Sequence, residues 1–227
     1  MDPLCERLRS VEQRIREACL RFDRDPDSVS LLAVSKTRPA GDVRTARACG
    51  QRLFGENYVQ EAVEKVRALD DLDLQWHFIG RIQSNKTRTI ASHFDWVHSI
   101  DSARHARRLG EQRPAGLAPI NACLQVNLDA EATKGGLAEG DIESALEQIA
   151  GVEGLRIRGL MILPPPTDDF EAQRRRFRRL RELRDRLATR VLPLETLSMG
   201  MTGDLEAAIA EGSTLVRVGT GIFGPRG

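Results

Sequence analysis

The chain has 227 residues, with 34 Lys+Arg against 33 Asp+Glu, a net charge of +1, 41% hydrophobic residues and 30% charged ones. That balance suits a folded globular protein, and the near-neutral charge removes any whole-chain case for attraction to nucleic acid or a membrane. No apolar run approaches the roughly 20 residues that span a bilayer. The N-terminus (Met1-Asp2-Pro3-Leu4-Cys5-Glu6-Arg7) lacks a signal-peptide core. Cys5, Cys19, Cys49 and Cys123 form no Cys-x-x-Cys pair. The expectation is a reduced, cytoplasmic protein with neither a zinc site nor a disulfide framework.

Apolar residues at Leu4, Leu8, Val11, Ile15, Ala18 and Phe22 recur at helical steps and predict an amphipathic helix over 4–22. Ser30–Lys36 follows as a continuous apolar run of strand length, the pattern of a strand buried on both faces of a parallel sheet. Pro39 then opens a helix reaching about Cys49. Further strands are predicted at Arg52–Gly55, Leu74–Gly80, Trp96–Ile100, Ile120–Leu128, Leu155–Leu163, Thr196–Met199 and Leu215–Gly219. Helices are predicted between them, near 58–69, 84–91, 103–112, 139–150, 169–190 and 204–211.

Strands alternating with helices call for a parallel sheet with helical crossovers. Eight such units in about 200 residues point to a (β/α)8 TIM barrel with an additional N-terminal helix, an α/β fold. An open doubly wound sheet is the competitor. With no linker or composition shift, residues 1–227 read as a single domain.

In a barrel the chemistry lies at the C-terminal strand ends. Polar residues collect there: Lys36, Glu56 and Asn57, Gln83–Asn85, Ser99 and Asp101, Asn127 and Asp129. The last two units end in Ser198-Met199-Gly200-Met201-Thr202-Gly203-Asp204 and Arg217-Val218-Gly219-Thr220-Gly221-Ile222-Phe223-Gly224. Glycines let backbone N–H groups approach an anion, and the loops after strands 7 and 8 are the recurrent phosphate site of this fold.

Only four of the 34 basic residues are lysine: Lys36, Lys65, Lys86 and Lys134. A position that keeps lysine is a candidate for chemistry arginine cannot do, because lysine can lose its proton and attack a carbonyl. Lys65 reads as a plain surface residue. Lys36, ending an apolar strand, reads equally as a desolvated imine-forming amine or as a solvated strand-end charge. Opposite a phosphate site, such an amine suits a phosphorylated aldehyde. Pyridoxal 5′-phosphate (PLP) has that aldehyde and phosphate, and a ring nitrogen that Arg217 could meet.

Leu31-Leu32-Ala33-Val34-Ser35-Lys36-Thr37 resembles the lysine segment of the YggS/PROSC family of PLP homeostasis proteins. Phe54-Gly55-Glu56-Asn57-Tyr58-Val59-Gln60-Glu61, Trp76–Gly80 with Gln83–Lys86, Gly159-Leu160-Met161, Ser198–Asp204 and Arg217–Gly224 extend the resemblance over essentially the whole chain. It implies the barrel of the alanine-racemase N-terminal domain, with PLP held on Lys36 as a Schiff base. By the same resemblance Arg217 faces the pyridine nitrogen and Ser198, Gly219 and Thr220 hold the phosphate. Asn57 and His77 line the ring pocket, and Lys134 matches a family lysine for a second, exchangeable PLP or is a solvated loop charge. Thr202 stands where the family usually has serine, and Arg81 where proline is common.

A cationic arginine at the ring nitrogen disfavours carbanion chemistry. Racemases of this barrel type bring a tyrosine base from a second domain, whereas the only tyrosine here is Tyr58. The implied function is therefore storage, buffering or delivery of PLP without catalysis, with PLP-dependent apo-enzymes as receivers. A fold-type-III amino-acid racemase is the alternative, and a lysine-imine lyase acting on a phosphorylated sugar is a weaker one. A monomer is expected. Residues 174–190 carry nine arginines, but Phe177, Leu180, Leu183 and Leu187 at helical spacing favour an outer barrel helix with a solvated basic face over a nucleic-acid site. His93, His98 and His105 show no metal spacing, and Trp76 and Trp96 read as core residues.

Overall fold

Asp2 accepts a hydrogen bond from the Leu4 N–H at 2.8 Å and Pro3 takes the first helical position, so α1 (Pro3–Arg21) starts capped. The computed structural model describes residues 2–129, 135–189 and 192–225. Leu4, Leu8, Val11, Ile15 and Ala18 form the buried stripe of α1, as their spacing requires.

The strands are β1 (Ser30–Val34), β2 (Leu53–Glu56), β3 (Gln75–Phe78), β4 (Trp96–Ile100), β5 (Ile120–Asn127), β6 (Leu137–Ala138), β7 (Leu155–Met161), β8 (Thr196–Ser198) and β9 (Leu215–Val218). The helices that follow α1 are α2 (Ala40–Ala48), α3 (Val59–Ala68), α4 (Thr87–His93), α5 (Ala103–Glu111), α6 (Ile142–Ile149), α7 (Phe170–Leu187), α8 (Leu205–Ala210) and α9 (Thr220–Phe223). All pairings are parallel. The order runs β4-β3-β2-β1-β9-β8-β7-β5, and β5 pairs back with β4 to close an eight-stranded barrel. All eight strands expected from the sequence are present. The short β6, which lies against β5, and the one-turn α9 are not foreshadowed, because two and four residues carry no periodicity.

β1 pairs with β9 in the register Leu32↔Arg217 and Ala33↔Val218, which brings the first and last units side by side. α1 lies over that seam. Arg14 forks onto the Glu206 carboxylate on α8, and the Arg7 Nε donates to the Ile222 carbonyl at 2.6 Å. α1 also meets α2, where a disulfide joins Cys5 to Cys49, with Cα atoms 5.8 Å apart. This corrects the fully reduced reading: 44 residues separate the two cysteines, and only tertiary packing brings them together.

On α7, Phe177, Leu180 and Leu183 face the core as expected. Its basic face is engaged rather than merely solvated. Arg174, Arg178 and Arg181 converge on Glu211, which is 1% exposed, at 2.8 Å each. Arg179 and Arg186 pair with Glu139, and Arg176 with Asp129. Trp76 is buried, but Trp96 is only half-buried and stacks flat on the His77 ring. Among the described residues no helix is long and apolar enough to cross a membrane.

Candidate functional site at the C-terminal rim of the barrel

Strand β1 ends at Val34, so Lys36 sits in a turn two residues beyond the strand rather than in it. The Arg38 N–H closes this turn on the Ser35 carbonyl at 3.0 Å. Thr37 adopts φ +62°, an unusual left-handed conformation for a β-branched residue. Lys36 is half-buried at the barrel mouth.

Two contacts tie this turn to the last unit. The Arg38 guanidinium donates to the carbonyls of Gly224 and Pro225 at 2.6 and 2.7 Å. Gly219 packs against Val34 so closely that a Cβ there would lie 3.3 Å from the Val34 carbonyl oxygen. The loops after β8 and β9 meet each other as well: the Thr202 and Thr220 hydroxyls are 3.5 Å apart. The β8 loop is shaped by Gly200, whose φ of +99° suits glycine and whose carbonyl accepts the Arg217 N–H at 2.9 Å. Asp204 accepts the Met201 N–H, and burial raises its carboxyl pKa. The lysine turn and the two glycine-rich loops thus share one rim, as the sequence pattern requires.

Arg217 and Ser198 lie below that rim, inside the barrel. Arg217 donates to the Ser198 Oγ at 2.7 Å and to the Ile162 carbonyl at 2.8 Å. Burial lowers its pKa to about 10, so it stays cationic at neutral pH. Ser198 is fully buried, and its hydroxyl is taken up by Arg217 and by His98 Nδ1 at 2.8 Å. β8 stands three strands from β4 around the barrel, so the His98–Ser198 bond spans part of the interior.

The chain of bonds continues from His98 Nε2 to His77 Nδ1 at 2.8 Å, and from His77 Nε2 to the Gln75 Oε1 at 3.0 Å. The Gln75 Oε1 can only accept, and burial keeps both imidazoles neutral, so His77 donates to Gln75, His98 to His77, and Ser198 to His98. Burial drives the His77 pKa down to about 3, and burial, His77 and the Arg217 charge push His98 well below its usual value.

His77 therefore does not reach the rim. It lines a cavity of about 270 Å³ with Ser30, Leu53, Gln75, Trp96, Thr196 and Leu215, the first residues of six strands. That is the N-terminal mouth of the barrel. His77 is the third of the four β3 residues, in register with Gly55 on β2, and its ring stands inside the barrel above this mouth. Asn57 does reach the rim, just after β2, and its Oδ1 is buried without a hydrogen-bond partner. Its carbonyl lies under Gly80, where a Cβ would come within 2.0 Å of the oxygen, so the glycine that ends the Trp76–Gly80 motif is required by backbone approach. Lys134 lies outside the described residues.

Sequence reasoning missed three groups. His98 was set aside for lack of metal spacing, yet it links Ser198 to His77. Thr202 was noted only as a departure from serine, yet its hydroxyl meets Thr220. Lys65 is not on the surface: it is 5% exposed and bonded to Glu56 and Glu61 behind the Lys36 turn. The scarcity of lysine was the available signal for it.

Comparison with known proteins places this geometry. The family described as "Alanine racemase, N-terminal domain" matches residues 7–227. A protein of Pseudomonas aeruginosa named pyridoxal phosphate homeostasis protein is 56% identical, covering 100% of this chain and 97% of its own. One of the same name from Escherichia coli K12 is 45% identical, covering 100% and 98%. Among solved structures, PipY of Synechococcus elongatus without PLP superposes with a TM-score of 0.85 at 42% identity, covering 97% of this chain and 99% of that one. PipY has also been solved with PLP bound, with a TM-score of 0.82 at 41% identity and the same coverage. An alanine racemase of Clostridium difficile shares the fold alone, with a TM-score of 0.72 at 11% identity over 95% of this chain and 56% of that one. The chain belongs to the family of alanine-racemase N-terminal-domain proteins and, within it, to the pyridoxal phosphate homeostasis proteins.

Proposed function

We propose that this protein binds PLP and serves its homeostasis, storing, buffering or delivering the cofactor without turning over an amino acid. The observation that carries this reading is the meeting of the Lys36 turn with the Thr202 and Thr220 loops on one rim, above the buried Arg217. The names of the close relatives and the PLP-bound PipY structure support it.

The residues present fit the group. Lys36 offers an amine for the aldehyde. Gly219 and Thr220 N–H groups, with the Thr202 and Thr220 hydroxyls, offer donors for a phosphate. The buried Asn57 Oδ1 is an acceptor awaiting a donor. When bound, PLP supplies an aldehyde that a lysine amine captures reversibly. Arg217 would present its cation to the ring nitrogen, keeping that nitrogen unprotonated and the ring a poor electron sink. Ser198 would then support Arg217 rather than touch the phosphate, because both of its observed partners lie inside the barrel.

A racemase needs an acid and a base on opposite faces of the substrate carbon. Tyr58, the only tyrosine, is 54% exposed at the start of α3. The same reading takes residues 1–227 as one domain, working as a monomer in the cytoplasm and supplying PLP-dependent apo-enzymes. No nucleic-acid role is assigned, because the α7 arginines are held by Glu211, Glu139 and Asp129.

The test is the absorption spectrum of purified protein with PLP. A band from an imine is expected in wild type and lost in Lys36→Ala; an unchanged band in the variant overturns the assignment. Saturable exchange of amino-acid α-protons in deuterated water would overturn the non-catalytic reading.

A further inference from the structure

Lys65 on α3 is buried, and its ammonium is fully engaged. Its ammonium donates to the Ser35 carbonyl at 2.7 Å, to the Glu56 Oε1 at 2.8 Å and to the Glu61 Oε1 at 2.6 Å. An ammonium has three N–H groups, and all three are used. A planar guanidinium is longer and cannot place donors along the same three directions. In a chain that otherwise favours arginine, this geometry explains why lysine stands at position 65.

The same acceptors hold the two residues that flank Lys36. The Ser35 hydroxyl donates to the Glu56 Oε1 at 2.7 Å, and the Thr37 N–H donates to the Glu61 Oε1 at 2.6 Å. Glu56 is fully buried at the end of β2, whereas Glu61 and Lys65 stand one turn apart on α3. Thr37 meanwhile sits at φ +62°, a strained conformation for a β-branched residue that persists only when its surroundings impose it. The triad supplies that constraint from behind, on the α3 side of the turn.

We propose that Lys65, Glu56 and Glu61 form a clamp that fixes the Lys36 turn so that its amine meets the aldehyde of PLP in one orientation. The inference rests on the PLP reading above. The three are positioning residues and touch no cofactor atom. The step they serve is the addition of the neutral Lys36 amine to the aldehyde carbon: a C=N bond replaces the C=O bond, and both amine protons pass to the carbonyl oxygen, which leaves as water. A misplacement of about 1 Å in such an approach can cost two orders of magnitude in rate.

The test uses the full chain as wild type, Lys65→Met, Lys65→Arg and Glu61→Gln, with two probes. PLP reports imine formation by absorbance. Pyridoxine 5′-phosphate has the ring and phosphate but no aldehyde, and its affinity is read by calorimetry. In Lys65→Met and Lys65→Arg the rate of imine formation is expected to fall about tenfold or more, while pyridoxine phosphate binds within about threefold of wild type. Glu61→Gln preserves shape and loses only charge, and is expected to show the same selectivity with a smaller drop; it serves if the Lys65 variants do not fold.

Imine formation at the wild-type rate in the variants overturns the clamp, and so does an equal loss of both probes, which would mean that the triad merely supports the fold. A wild-type protein that forms no imine would instead sink the PLP reading itself.

Discussion

Acidification should unfold this protein through the two imidazoles in the barrel interior. His77 is 1% exposed, and its pKa falls from 6.5 to about 3 on folding because burial penalises the charged ring. Its unfolded form therefore binds a proton below about pH 6.5 that the folded form refuses, so its contribution to stability is present above that pH and is lost as pH falls. Between pH 8 and pH 5, linkage assigns His77 a loss of about 2 kcal/mol. His98, shifted the same way by burial, by His77 and by Arg217, adds to the loss. Asp95, Asp204 and Glu56 have carboxyl pKa values raised by burial, so they bind protons first in the folded state and oppose the trend. The His77 share is therefore read as a difference. Urea unfolding of wild type and His77→Gln at pH 8, 7, 6 and 5 should give stability curves that converge by about 2 kcal/mol toward pH 5. Parallel curves would refute the neutral, buried imidazole and with it the proton order deduced for the chain from Arg217 to Gln75.

Three other perturbations test separate parts of the structure. Gly80→Ala drives a Cβ into the Asn57 carbonyl and should destabilise by about 3 kcal/mol in chemical denaturation, with no effect expected on a chain whose β2 and β3 ends are further apart. Glu211→Ala leaves Arg174, Arg178 and Arg181 without their shared carboxylate and should cost about 2 kcal/mol, an effect smaller at 1 M salt; a neutral result would show that these arginines are held by solvent instead. Thr220→Ala should weaken PLP retention about tenfold, roughly 1.4 kcal/mol, whereas Ser198→Ala should act through Arg217 and shift the cofactor absorbance as well; wild-type affinity in both variants would contradict the pocket as drawn.

The fold was legible because each strand is a short apolar run and each outer helix repeats at three and four residues, as β1 and α7 illustrate. The rim was legible for a related reason: in a barrel, chemistry sits where strands end, and Lys36, Asn57, Gly219 and Thr220 all stand there. What sequence did not reveal is depth. Ser198 and His77 follow the same strand pattern as rim residues, but β8 and β3 place them within the barrel, where they bond to Arg217 and His98. Nor does periodicity distinguish Lys65 from an exposed lysine, because its burial is created by Glu56, on another element and nine residues away. The Cys5–Cys49 link was hidden for the same reason: it depends on α1 crossing α2.

Lys36 is expected to carry the cofactor. Purified protein loaded with PLP, reduced with borohydride, digested and sequenced by mass spectrometry should show the pyridoxyl phosphate adduct on the peptide containing Lys36. An adduct confined to Lys65, Lys86 or Lys134, or no adduct at all, would contradict it.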